Sequence, residues 1–207
     1  MMRLATLIER AAALAVPGQR RLLGIAGAPG SGKGTVAEAV RAALGAAAVI
    51  VPMDGFHLAG AELDRLGLAD RKGAPPTFDA AGYVALLRRL RHPDGRTVYA
   101  PEFHREVEES FAGAIAVPPE VPLVITEGNY LLLPDDPWCE VRELLDDAWF
   151  LAPDEQQRIG RLVARHIEFG KTAVQARDWV QRSDEPNARL IDATRDHADL
   201  VIYGDPI

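Results

Sequence analysis

Residues Gly27, Ala28, Pro29, Gly30, Ser31, Gly32, Lys33, Gly34 and Thr35 run consecutively as "GAPGSGKGT", a spacing suited to holding a chain of phosphates. In G-x-x-x-x-G-K the glycines let backbone N–H groups point at phosphate oxygens, the following helix presents its positive end, and the lysine reaches the outer phosphates. The residue after the lysine is normally Ser or Thr, whose hydroxyl ligates magnesium. Here it is Gly34, with Thr35 one place later. Magnesium keeps several waters, so a water replaces one hydroxyl ligand at modest cost. The stretch predicts a site for ATP and Mg2+ in which carboxylates and the nucleotide hold the metal more than the loop does.

The elements that must position this chemistry are legible as a pattern. Apolar runs at 21–28, 47–54, 121–128, 147–153 and 199–205 read as strands buried on both faces, as parallel strands are. Helical patterns lie between them, including Val36, Val40, Leu44 and Val84, Leu87, Leu90. Alternating strands and helices predict an α/β fold with a five-stranded parallel sheet flanked by helices. Ligands of such sheets bind beyond the carboxyl ends of the strands. The first predicted strand ends in the glycine-rich loop, the second in Asp54, the third in Glu127. From the residues alone, Asp54 and Glu127 also fit as strand-end carboxylates satisfying turn N–H groups.

Two further segments bear on function. Residues 55–119 break the alternation with Pro-, Gly- and charge-rich pieces around one helix, and a long insertion at the ligand edge suits a binding lobe. It carries Phe56, His57, Arg71, Lys72, Tyr99, Phe103, His104 and Arg105, aromatics beside fixed donors that suit a polar organic acceptor. The second segment, 154–170, reads as a helix capped by Asp154 and stopped by Gly170. Helical spacing puts Ile159, Val163 and Ile167 on one side, with Arg158, Arg161 and Arg165 opposite; Arg158 reads as surface. Leu4, Leu7, Ile8, Ala11 and Leu14 predict a packing helix that Pro17-Gly18 end.

Composition limits the alternatives. A formal net charge of −7 argues against a broad grip on nucleic acid or anionic membrane. The lone Cys139 forms no intramolecular disulfide, the five histidines take no metal-ligand spacing, and no run is long enough to span a bilayer. These features predict a cytoplasmic protein without membrane insertion, and leave a homodimer open.

"GKGT" resembles the loop of adenylate kinases, which also lack the first hydroxyl. Beyond it, "MDGFHL", "RKGAPPTFD", "YAPEFHRE", "TEGNYLLL" and "RLVARH", in this order, resemble the phosphoribulokinase/uridine kinase/pantothenate kinase group, most of all small bacterial members described as fructose transport system kinases. The resemblance runs from Leu22 to about Tyr203. It implies a single P-loop NTPase domain over 1–207, with 55–119 as the acceptor-binding insertion and 154–170 as a helical lid. It also implies Asp54 as general base, Glu127 with Thr35 at the magnesium, and Arg161 and Arg165 closing with Lys33 on the phosphates. The activity implied is phosphoryl transfer from ATP to a hydroxyl of a small molecule, sugar-like in the leading reading, a nucleoside or pantothenate in the alternatives. A nucleotide-binding regulatory protein with little turnover is the reading of another class.

Overall fold

The computed structural model describes residues 3–206; residues 1, 2 and 207 of the expected domain span lie outside the described residues. Leu4–Leu14 forms α1, Arg21–Gly27 β1, Lys33–Leu44 α2 and Ala48–Ile50 β2. Gly60–Leu66 (α3), Ala80–Arg91 (α4) and an antiparallel hairpin of Val98–His104 (β3) and Glu109–Val117 (β4) follow. Leu123–Gly128 is β5, Cys139–Leu144 α5, Asp147–Ala152 β6 and Glu155–Glu168 α6. Ala173–Trp179 (α7) runs through a π-helical stretch, Val180–Asp184, into Glu185–Asp192 (α8), and Leu200–Tyr203 is β7. The five expected strands pair in parallel in the order β2-β5-β1-β6-β7. Among the described residues no helix is long and apolar enough to cross a membrane.

Strand β1 is central, and its alternation builds both layers. Leu23 and Ile25 pack with Leu7, Ala11, Val36 and Val40 under α1 and α2. Leu22 and Ala26 pack on the opposite face, where α4 contributes Tyr83, Val84, Leu87 and Leu90. Period-two side chains leave both faces apolar, so water is excluded on both sides. The first helix is fastened by Arg10, which forks onto Asp147 at 2.6 and 2.8 Å, while Trp149 Nε1 donates to the same carboxylate at 2.9 Å.

Two expectations about segments change. The second apolar run is a strand only over Ala48–Ile50; Val51 still donates to the Ile125 carbonyl at 2.8 Å, and Pro52, with no N–H, ends the ladder. The chain then turns through Met53–Phe56, a 3-10 turn that carries Asp54. The insertion holds two helices and a hairpin, where one helix was expected. Its strand β4, "ESFAGAIAV", is mostly exposed and rich in small residues, which hides a strand from a hydrophobicity reading. Pro101 interrupts the register of β3 at a bulge.

Close backbone approaches fix the Asp54 turn between β5 and the hairpin. A Cβ on Gly128 would come within 2.5 Å of Met53 Cβ, and one on Gly55 within 2.4 Å of the Pro101 carbonyl oxygen. Below them, Thr126 is wholly buried and donates its hydroxyl to the Val51 carbonyl at 2.7 Å. A hydroxyl has one proton, so the Tyr83 hydroxyl must donate to Thr126 Oγ1, 2.6 Å away. This chain ties α4, β5 and the end of β2 together beneath Asp54 and Glu127. Thr126→Val keeps the shape of the side chain but leaves the Tyr83 hydroxyl without an acceptor. The expected loss is about 1–3 kcal/mol, seen as a lower urea midpoint at unchanged m; an unshifted midpoint would show that the chain does not contribute.

Candidate active site

The glycine-rich loop leaves β1 with its glycines in conformations other residues resist. Gly30 has φ 79° and Gly32, the cap of α2, φ 90°. At Gly30 there is also no room, because a Cβ would meet the Arg158 carbonyl and Leu162 of α6 at 2.8 Å. Lys33, the first residue of α2, is buried and donates to the Gly27 carbonyl at 2.9 Å, the Ala28 carbonyl at 3.2 Å and Asn129 Oδ1 at 2.9 Å. Burial lowers its pKa to about 8, against the pull of Glu127 and Asp54. Gly34 behaves differently: a Cβ there meets nothing within 4 Å, and its φ is not positive.

The loop floors a cavity of about 320 Å³, into which Lys33, Gly34, Thr35, Asp54, Glu127 and Asn129 project with Arg105, Arg161 and Arg165. Glu127 ends β5, and burial, followed by the neighbouring charge of Asp54, pushes its carboxyl up to about 7. A carboxyl raised by burial and by a neighbouring carboxylate is relieved by a cation. Among the described residues there is no cluster of three or more Asp, Glu, His or Cys side chains that would cage a metal alone. That donor set fits magnesium, which is held by one or two carboxylates plus phosphates and water.

Asp54 is half-buried, and one of its oxygens takes Arg105 Nη2 at 3.1 Å. Its carbonyl accepts from His57 Nδ1 at 2.7 Å, so Nδ1 carries the proton. Burial holds the His57 pKa below its ordinary value; the ring is neutral and Nε2 is an acceptor. The ring sits 4.0 Å from Phe78 and 4.5 Å from Phe103, centroid to centroid. A second cavity, about 490 Å³, opens beside the first and shares with it Pro29, Asp54, Arg105, Asn129 and Arg165. It is lined further by His57, Lys72, Phe78 and Phe103 on the insertion side, and by His166, Trp179, Ser183, Asp184 and Asn187 on the α6–α8 side.

The eight insertion residues separate into two groups. His57, Lys72, Phe103 and Arg105 line the second cavity. Arg71, Tyr99 and His104 line neither: Tyr99 is 59% exposed on the outside of β3, Arg71 is at the surface, and His104 leans on Phe111 beside Glu102. Phe56 packs on Tyr83, 5.2 Å away, as part of the core. Alternation separates Phe103 from His104, and the bulge at Pro101 separates Phe103 from Tyr99, which an unbroken strand would place on one face.

The arginines of α6 also part ways, and Arg158 overturns the surface expectation. It is 5% exposed, pairs with Glu185 and donates to the Pro29 carbonyl. The buried stripe is Arg158 and Leu162, whereas Ile167 is 44% exposed. Arg161 lines the first cavity paired with Asp205. Arg165 lines both cavities and has no hydrogen-bond or ion-pair partner among the described residues. Burial, and then Arg105, lower its pKa from the ordinary guanidinium value. Asn129 was missed in the sequence although it stands two places after Glu127, because a neutral amide gives no charge signal. The wall from 179 to 187 was missed because its residues look like an ordinary polar helix.

Comparison with known proteins agrees with this fold. A crystal structure of a protein named "putative fructose transport system kinase", from Silicibacter sp. TM1040, superposes with a TM-score of 0.89 at 39% identity, covering 98% of this chain and all of that one. The fission yeast protein named "putative uridine kinase C227.14", from Schizosaccharomyces pombe, is 34% identical over 95% of this chain and 88% of its own length. Phosphoribulokinase from Rhodobacter spheroides shares the fold alone, with a TM-score of 0.65 at 13% identity over 89% of this chain and 70% of that one. The resemblance read from the motifs thus holds, and so does the P-loop kinase fold. The model of the phosphoribulokinase / uridine kinase family matches residues 22–206, and the chain belongs to that family of kinases, phosphotransferases that act on a hydroxyl acceptor.

Proposed function

We propose that this protein transfers the γ-phosphoryl group of ATP to a hydroxyl of a small, sugar-like metabolite in the cytoplasm, as one kinase domain. The observation that carries the reading is the junction of the two cavities at Asp54, Arg105, Asn129 and Arg165. A phosphate chain on the loop and a hydroxyl in the second cavity would meet there in line. Phosphoryl transfer asks mainly for positioning and charge stabilisation.

The roles follow from the surroundings. The loop N–H groups from Gly27 to Thr35 and the Lys33 ammonium hold the phosphates. Asp54, with a carboxylate at the junction, takes the proton of the attacking hydroxyl as its bond to phosphorus forms. Arg165, partly desolvated and in direct contact with no carboxylate among the described residues, is placed to meet the charge that develops on the transferred group, with Arg161 as a second cation once it leaves Asp205. Glu127, Asp54 and Thr35, with phosphate oxygens and water, would hold a magnesium ion, which neutralises phosphate charge when bound. His57 Nε2, Lys72, Arg105, Asn187 and Ser183 offer acceptors and donors for several hydroxyls, with Phe103 as an apolar wall. This lining and the name of the Silicibacter relative favour a sugar over a nucleoside.

ADP release should therefore rise with a polyhydroxylated acceptor, tested with fructose and other sugars beside uridine and pantothenate at equal ATP. Asp54→Asn should lower the stimulated rate by roughly 10²- to 10⁴-fold while ADP binding survives. Stimulation by uridine alone would return the acceptor to the nucleoside class, and stimulation by nothing would favour a regulatory protein.

Gly34 has open space and an ordinary φ, so Gly34→Ser should fold with unchanged stability. Its hydroxyl would replace one water on magnesium, and half-maximal activity should need less magnesium. A higher requirement would place the metal away from the loop.

A further inference from the structure

Of the three arginines of helix α6, only Arg158 lines neither cavity. Arg158 reaches in two directions from a buried position: Nη1 donates to the Pro29 carbonyl at 3.2 Å and Nη2 to Glu185 Oε1 at 2.5 Å. Pro29 belongs to the glycine-rich loop and lines both cavities. Glu185 opens α8 directly after the π-helical stretch Val180–Asp184, and Ser183, Asp184 and Asn187 line the second cavity. A buried ion pair contributes little to stability, because desolvation offsets most of the attraction between its charges. A π-helical stretch inside a helix is uncommon and is frequent at functional sites. Stability alone explains neither feature.

Two neighbouring contacts make the connection stiff. Leu162 lies against Gly30, with no space for even a Cβ between them. Farther along the same helix, His166 Nε2 meets Asp184 Oδ2 at 2.8 Å. Helix α6 thus touches the phosphate loop on one side and the π-helical stretch on the other, and close-packed side chains shift together.

We infer that Arg158 is a positioning residue that carries the state of the phosphate loop to the acceptor wall at 180–187, so that nucleotide and acceptor assist each other's binding. The inference rests on the reading of the two cavities as nucleotide and acceptor sites. Phosphates settling on the loop fix the Pro29 carbonyl, Arg158 follows it, and Glu185 brings Ser183, Asp184 and Asn187 to fixed places. By linkage the assistance is reciprocal, and such couplings typically amount to about 5- to 150-fold in affinity.

Trp179 offers a readout that needs no acceptor. It adjoins the π-helical stretch and lines the second cavity, whereas Trp138 and Trp149 are core residues. ADP is titrated into the intact protein with emission and calorimetry followed in parallel, and Trp179→Phe identifies the signal. The expected result is an emission change that saturates with bound ADP in the wild type and is lost in R158M/E185M, where neither charge is stranded, although that variant still binds ADP. Hydrogen exchange on the wild type gives a second measurement, independent of any variant: ADP should raise amide protection across 180–187. An emission change that persists in R158M/E185M, or protection at 180–187 that ADP leaves unaltered, overturns the inference. Failure of the wild type to bind ADP at all removes the nucleotide site itself, and the inference with it.

Discussion

A buried ammonium needs oxygen around it, and Lys33 finds oxygen because β1 and β5 end where α2 begins. Its Nζ lies among the Gly27 and Ala28 carbonyls and Asn129 Oδ1, near Glu127. Parallel pairing sets Ile25 beside Glu127 and Ala26 beside Gly128, so the strand ends are level. A one-residue slip of β5 would exchange its side chains between the two packed layers and carry Glu127 and Asn129 away from the lysine. The register that buries Val124 and Ile125 is therefore also the register that neutralises Lys33. Phosphate oxygens can then replace the carbonyl oxygens around Nζ without the cost of drying the charge again.

How much of this was legible depends on whether a residue's role is set locally or by the fold. The loop, the five strands and the strand-end carboxylate Glu127 follow from short-range pattern, because buried parallel strands are apolar throughout and glycine marks left-handed backbone at Gly30 and Gly32, whereas Asp54 lies on a turn beyond β2. Asp154 was read as a cap from its place before a helix, and its side chain accepts from the Gln157 N–H at 3.1 Å. Arg158 was misread because a helical wheel assumes that the charged face meets water. Here that face meets the loop at Pro29 and Glu185, 27 residues away along the chain. Tyr99 and His104 were grouped with Phe103 and Arg105 by proximity in sequence, but a bulged hairpin puts neighbours on different faces and the turn redirects Arg105 to Asp54. Sequence showed which residues could do chemistry; only the hairpin and the α6–α8 packing show which of them share a space.

The pairing of charges around the two cavities bears on how such a site avoids transferring phosphate to water. Arg105 occupies one oxygen of Asp54, Asp205 holds Arg161, and Glu108 holds Lys72, so three cations begin with a partner. Arg165 alone faces both cavities without one among the described residues. Each existing pair is partly exposed, which makes it weak and exchangeable. In the proposed reading, a bound nucleotide would compete with Asp205 for Arg161, and a bound acceptor with Asp54 for Arg105. Water alone would make too few contacts to draw Arg105 away, and Asp54, the proposed base, would keep its partner until an acceptor with several hydrogen-bonding groups arrives. Binding energy from the acceptor's non-reacting groups is then used to free the carboxylate that its reacting hydroxyl needs. In the proposed reading, the hairpin that carries Arg105 would select the acceptor and also time the chemistry.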